Sequence, residues 1–161
     1  MRRARRPPGR EDELFPVGVP IEGIVIDTNV FVAAGFNPRS ASARVLAAIR
    51  DGRFRLIWNR STRRETELIL VRIPRLDWER FADLCQPEGE FTGPVDLDAF
   101  ALIADPDDRK FAALSAVVQR PLVTNDNDLL AARNVTGIDA RTPRAFLARE
   151  GKKISREGKK I

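Results

Sequence analysis

Three short acidic runs carry whatever chemistry this 161-residue sequence can do. Asp27 directly follows the apolar, β-branched stretch Ile24-Val25-Ile26. Asp105-Pro106-Asp107-Asp108 places three carboxylates within four residues. Asp126 and Asp128 follow Leu122-Val123-Thr124-Asn125. Each run alone has a plain structural explanation, because aspartate after a strand commonly caps the next helix. The positive end of a helix dipole would likewise ease the crowding at 105–108. Together the runs ask for more. If the strands that precede them are parallel, the runs arrive at one carboxyl edge, where open α/β sheets hold their ligands. Two carboxylates ~4 Å apart repel by roughly 4 kcal/mol at an effective dielectric near 20. A chain that points several at one spot therefore calls for a cation. Donors that are all oxygen favour Mg²⁺ or Mn²⁺ over zinc. Such ions activate water and stabilise the charge that builds on a phosphodiester under attack.

The rest of the composition narrows the choice. Histidine is absent, which removes imidazole acid–base catalysis, His-dependent triads and the usual histidine zinc sites. The single cysteine, Cys85, permits no internal disulfide, and a reducing cytoplasm is the expected setting. No apolar run nears the ~18 residues of a membrane span, so no membrane association is expected. The basic N-terminus leads into Glu11-Asp12-Glu13, which is unlike a secretory signal. The net charge of +5 is unevenly spread: residues 1–10 hold five arginines and no acid, and residues 149–161 hold six basic residues against two acids. The stretch between is mildly acidic. Basic ends of this kind either track polyanions or are simply solvated.

The elements that must position the acids alternate along the chain. Residues 1–20, rich in Arg, Pro and Gly, read as a disordered lead-in. Strands are expected over 23–27, 54–58, 121–124 and 135–139. Helices are expected over 40–50, 61–72, 77–85, 96–103 (short), 108 onward and 126–133, with a last one from Thr142-Pro143 through Leu147. A loop with Gly and Pro spans 86–95. The pattern predicts an α/β domain over 21–148 with a parallel sheet. Residues 149–161, in which Arg-Glu-Gly-Lys-Lys-Ile occurs twice, read as a basic tail.

In this order and spacing the residues resemble a PIN domain, the nuclease fold of VapC-type toxins and related ribonucleases. The carriers are Ile26-Asp27-Thr28-Asn29-Val30, an acidic helix near 65–67, Asp108-Arg109-Lys110-Phe111 running into an Ala-rich helix, and Val123-Thr124-Asn125-Asp126 with Asp128-Leu129-Leu130. The likeness runs from about Gly23 to Leu147. It implies a three-layer α/β/α fold, a Mg²⁺ or Mn²⁺ site and cleavage of single-stranded RNA. By that resemblance Asp27, Asp108 and Asp126 are metal ligands, joined by one glutamate of the middle helix. Asn29 and Thr124 support the site, and Asp128 is an extra acid. Asn125 stands where the family commonly has glycine, and the Arg120-Pro121 approach to its strand is short. An RNA substrate, an antitoxin protein and a second copy of the chain are the partners the resemblance suggests.

Two other readings compete. A phosphatase of the aspartyl-phosphate type uses an aspartate after its first strand but wants a second acid two residues on, where this chain has Asn29. A non-catalytic receiver or RNA-binding module with a structural acid cluster is the other, and a receiver would place a lysine after a late strand, near where Asn125-Asp126 stands. Glu65 and Glu67 both offer themselves as the helical ligand. Two residues apart, they point about 200° from each other on a helix and cannot share a site. Summing the directions of Leu68, Ile69, Leu70, Val71 and Ile73 sets Glu65 roughly 70° and Glu67 roughly 130° from the apolar centre. A ligand should border the buried face, which favours Glu65.

Overall fold

The computed structural model describes residues 21–158, with side chains described through Lys152. The lead-in expected over residues 1–20 lies outside the described residues. In chain order the elements are β1 (Glu22–Ile26), α1 (Thr28–Phe36), α2 (Ala41–Arg50), β2 (Phe54–Leu56), α3 (Arg60–Arg72) and α4 (Glu79–Ala82). Two single 3₁₀ turns follow, Pro87–Gly89 and Asp98–Phe100, then α5 (Arg109–Val118), β3 (Leu122–Val123), α6 (Asn127–Thr136), β4 (Ala140–Arg141) and α7 (Pro143–Gly158). The strands are all parallel in the order β2-β1-β3-β4. This is the three-layer α/β/α arrangement with a central parallel sheet that the sequence predicts.

β1 shows why the sheet sits where it does. Its side chains alternate between faces. Ile24 and Ile26 enter one apolar cluster with Val30, Phe31, Val45, Leu70 and Phe146. Val25 enters the other, with Phe111, Leu114, Leu122 and Leu129. Burying each of these side chains stabilises the fold by about 1.5–3 kcal/mol. With both faces buried, a one-residue slip of β1 would exchange its two sets of side chains and move Asp27 off the edge. The register of the acid is thus fixed by the packing of the strand before it. No helix among the described residues is long and apolar enough to cross a membrane.

Several elements differ from expectation. α1 has no counterpart among the expected helices. Val30 and Val32 are β-branched, and apolar residues occupy most of Thr28–Phe36, so no polar face marks the helical period. The strand expected over 135–139 is instead the last turn of α6 and a link. Gly137 ends the helix with φ 76°, and only Ala140 and Arg141 pair with β3. Val135 is correspondingly 74% exposed. The last helix does not stop at Leu147 but runs to Gly158, so the expected basic tail begins within a helix. Arg149 there is anchored to Asp139 (Nη1–Oδ2 2.9 Å). The short approach to β3 is accommodated by Gln119, a non-glycine residue in the left-handed region at φ 53° that ends α5.

Candidate active site

Asp27 stands at the carboxyl end of β1, where its backbone N–H donates to the Val123 carbonyl (3.0 Å). It holds the N-cap position of α1, yet its side chain makes no capping hydrogen bond. The carboxylate turns instead to Thr124, whose Oγ1 donates to Asp27 Oδ2 at 2.7 Å. The same Thr124 oxygen accepts the Asp126 N–H at 2.9 Å, so one buried hydroxyl joins the two acidic runs. The loop is fastened again where Asn125 N–H donates to Asn29 Oδ1 (3.2 Å) and the Asn125 side-chain amide donates to Ser42 Oγ (3.2 Å). An asparagine can therefore occupy the position where the family commonly has glycine, because Ser42 receives its side chain.

The other acids divide by what their oxygens do. Asp126 caps α6 in the ordinary way, its Oδ1 accepting from the Asp128 and Leu129 amides at 2.8 and 3.2 Å. Asp105 is spent on a turn, accepting from Asp107 N–H. Asp108, at the N-cap of α5, caps nothing. Asp128 is exposed in the first turn of α6. On α3 the buried Thr66 hydroxyl meets that of Thr28 at 2.9 Å, which ties α3 to the start of α1. Glu65 then lies partly buried toward Asp27, and Glu67 is exposed on the other side. Lys110, two residues after Asp108, reaches Glu65 Oε2 at 3.3 Å. The sequence reading assigns Lys110 no role; its place one helical step past an N-cap acid is the available signal.

The electrostatics register this crowding. Asp27 is 3% exposed, and its pKa is pushed up to about 6. Burial is the largest cause, opposed by the Thr124 hydroxyl and Thr28 amide and reinforced by Asp126 and Glu65. Asp108 is more exposed yet is raised further, to about 7, by its own burial and by Asp126, Asp27, Asp105 and Asp128. The difference has a cause: Asp27 has donors for its anion, and the Asp108 side chain makes no capping bond. Cys85, by contrast, has its thiol raised to about 11, chiefly by burial, and is no nucleophile at neutral pH.

As the side chains stand, no three acids among the described residues are gathered tightly enough to hold one ion. The donor set nonetheless fits a hard divalent cation. It offers carboxylate oxygens alone, on four different elements, two of them resisting ionisation because of burial and the neighbouring acids.

The chain belongs to the PIN domain family, whose model matches residues 23–128. PIN domains have a nuclease-type fold and are generally metal-dependent. The crystal structure of PAE2754 from Pyrobaculum aerophilum is similar at 18% identity and a TM-score of 0.46, covering 80% of this chain and 96% of that one. No curated protein matches the chain in sequence.

Proposed function

We propose that this protein is a Mg²⁺- or Mn²⁺-dependent endoribonuclease, the toxin of a toxin–antitoxin pair acting in the cytoplasm. The observation that carries the reading is the Asp27 carboxylate, which is buried and held by Thr124 beside the acids Asp126 and Glu65. A bound cation would relieve such a group at neutral pH. Asp27, Glu65, Asp108 and Asp126 are the residues that would hold the ion, with Asp128 as an additional acid. A divalent ion bound there supplies an activated water and neutralises charge developing on the phosphodiester.

The chain's own residues do the remaining work. Thr124 fixes the Asp27 carboxylate through Oδ2. Asn29 holds the Asn125 amide and so keeps Asp126 in register with Asp27. Lys110 holds the Glu65 carboxylate in place by its ammonium group. Family membership favours this reading over the phosphatase and the receiver. An antitoxin protein and a second copy of the chain are the proposed partners.

The test is incubation of the purified protein with end-labelled single-stranded RNA, with Mn²⁺ or with EDTA. Internal cleavage in Mn²⁺ that EDTA stops supports the proposal, and intact RNA in both contradicts it. For the toxin role, expression should arrest growth, and co-expression of a cognate small neighbouring gene should restore it. Harmless expression of an active enzyme would sink that role and leave the nuclease standing.

A further inference from the structure

We propose that a groove between the start of α3 and the segment 90–93 binds the backbone of single-stranded RNA. The identity of the strand rests on the nuclease reading above; the groove itself rests on separate observations. A cleft of about 620 Å³ is lined by Trp58 and Ser61, by the arginines Arg60, Arg63 and Arg64, and by the acids Glu67 and Glu90. A second cleft of about 510 Å³ shares Arg60, Ser61 and Glu90 with it and continues past Phe91, Thr92 and Gly93. The two form one path along the first turns of α3.

Arg63 packs over two buried tryptophan rings, but nothing in the fold calls for a cluster of cations at this helix end. The first turn of α3 contains no acid, although acids are what a helix N-terminus favours and cations are what it opposes. Among the described residues, no ion pair involves Arg60, Arg63 or Arg64. Three guanidinium groups set against the dipole, in a concave surface, fit an anionic chain. Arg60 and Arg64 are exposed, four residues apart, and so lie side by side on the helix. That spacing suits two phosphates.

Both walls are built in advance. The Arg63 guanidinium lies 5.4 Å from the Trp58 ring centroid and 5.9 Å from that of Trp78, and both rings are buried. The opposite wall is hydrogen-bonded to the chain after β2. Trp58 N–H donates to the Gly89 carbonyl (3.0 Å), and Phe91 N–H donates to the Trp58 carbonyl (2.8 Å). Gly89 permits that approach, since a Cβ there would fall 1.9 Å from the Leu56 carbonyl oxygen. Phe91, half-buried at the far end, packs against the second core cluster and so anchors that wall. Glu67 and Glu90 repel phosphate and confine the backbone to the arginine side.

The experiment measures binding of a fluorescein-labelled single-stranded RNA to the full chain in EDTA across a range of salt, and then cleavage in Mn²⁺. The variant Arg60→Gln/Arg64→Gln removes two exposed side chains. The control Arg53→Gln/Arg120→Gln removes the same charge at the opposite, amino edge of the sheet. The groove variant should bind about tenfold more weakly, and its log–log salt slope should fall by about 1.4, two contacts at ~0.7 each. Its KM for cleavage should rise with kcat held within about twofold. The control should match the parent. Equal slopes for groove variant and parent, with the parent cutting RNA, would overturn the groove and leave the nuclease reading intact. Loss of binding in the groove variant of a parent that never cuts would uphold the groove and overturn the nuclease reading. A parent that neither binds nor cuts RNA overturns both.

Discussion

Asp27 and Asp108 occupy N-cap positions without capping, while Asp126 caps α6 with one oxygen. A capping aspartate contributes to stability in proportion to the amides it satisfies, typically ~1 kcal/mol. The first two make no capping hydrogen bond and are held against their own ionisation. Asp27→Asn or Asp108→Asn should therefore lower the cleavage rate by at least about a hundredfold, as loss of one stabilising group in a buried site commonly does. Metal-free stability should hold or rise, read by thermal melting in EDTA. In Asp27→Asn the side-chain carbonyl could still accept the Thr124 hydroxyl. Cleavage at the parental rate by either variant would remove that residue from the site. For the glutamates, Glu65→Gln should lose activity and Glu67→Gln should keep most of it, measured as kcat/KM on one RNA. The opposite order would contradict the burial and pairing of Glu65.

The elements act as brackets around these side chains. α3 is started by a reciprocal cap, in which Asn59 Oδ1 accepts from Thr62 N–H at 2.9 Å and Thr62 Oγ1 accepts from Asn59 N–H at 3.0 Å. Asn59→Ala should cost about 1 kcal/mol of stability and weaken cleavage too, because α3 carries Glu65. A full-activity variant with lowered melting temperature would show that the start of α3 does not position the glutamate. What the sequence made legible follows from the same brackets. Ile24 to Ile26 is an unbroken apolar strand, and 61–72 is a helical run stopped by Pro74, so β1 and α3 could be read with their acids, though the Asn59 cap could not. Tertiary contact hid the rest. α1 is apolar on most sides because it packs against both α2 and α3, and Val135-Thr136 has strand-like residues in a helix that only Gly137 terminates. Lys110 and the arginines of α3 looked like ordinary solvated charge. Their positions relative to Glu65 and to the clefts depend on long-range packing that no local pattern encodes.

At the scale of the whole molecule, the fold stores an electrostatic cost at one edge of its sheet. A carboxyl whose pKa is raised on folding binds its proton more tightly in the folded state, so stability falls as pH rises from the unfolded value through the folded one. For Asp27 that window is about 4 to 6, with a cost on the order of 2–3 kcal/mol at full ionisation; for Asp108 it extends to about 7. In EDTA, the melting temperature of Asp27→Asn relative to the parent should widen in favour of the variant from pH 4 to 6 and then level off. A constant gap would mean that Asp27 ionises without penalty. The most direct test of the central claim, that the four carboxylates form a cation site, is the melting temperature at pH 8 in EDTA and in excess Mn²⁺, for the parent, Asp27→Asn and Asp108→Asn. At about ten times the dissociation constant the ion should stabilise the parent by ~1.4 kcal/mol, or roughly 3–5 °C in a chain of this size. Each variant should lose most of that shift. Equal Mn²⁺ shifts in all three proteins, or none in the parent, would contradict the account.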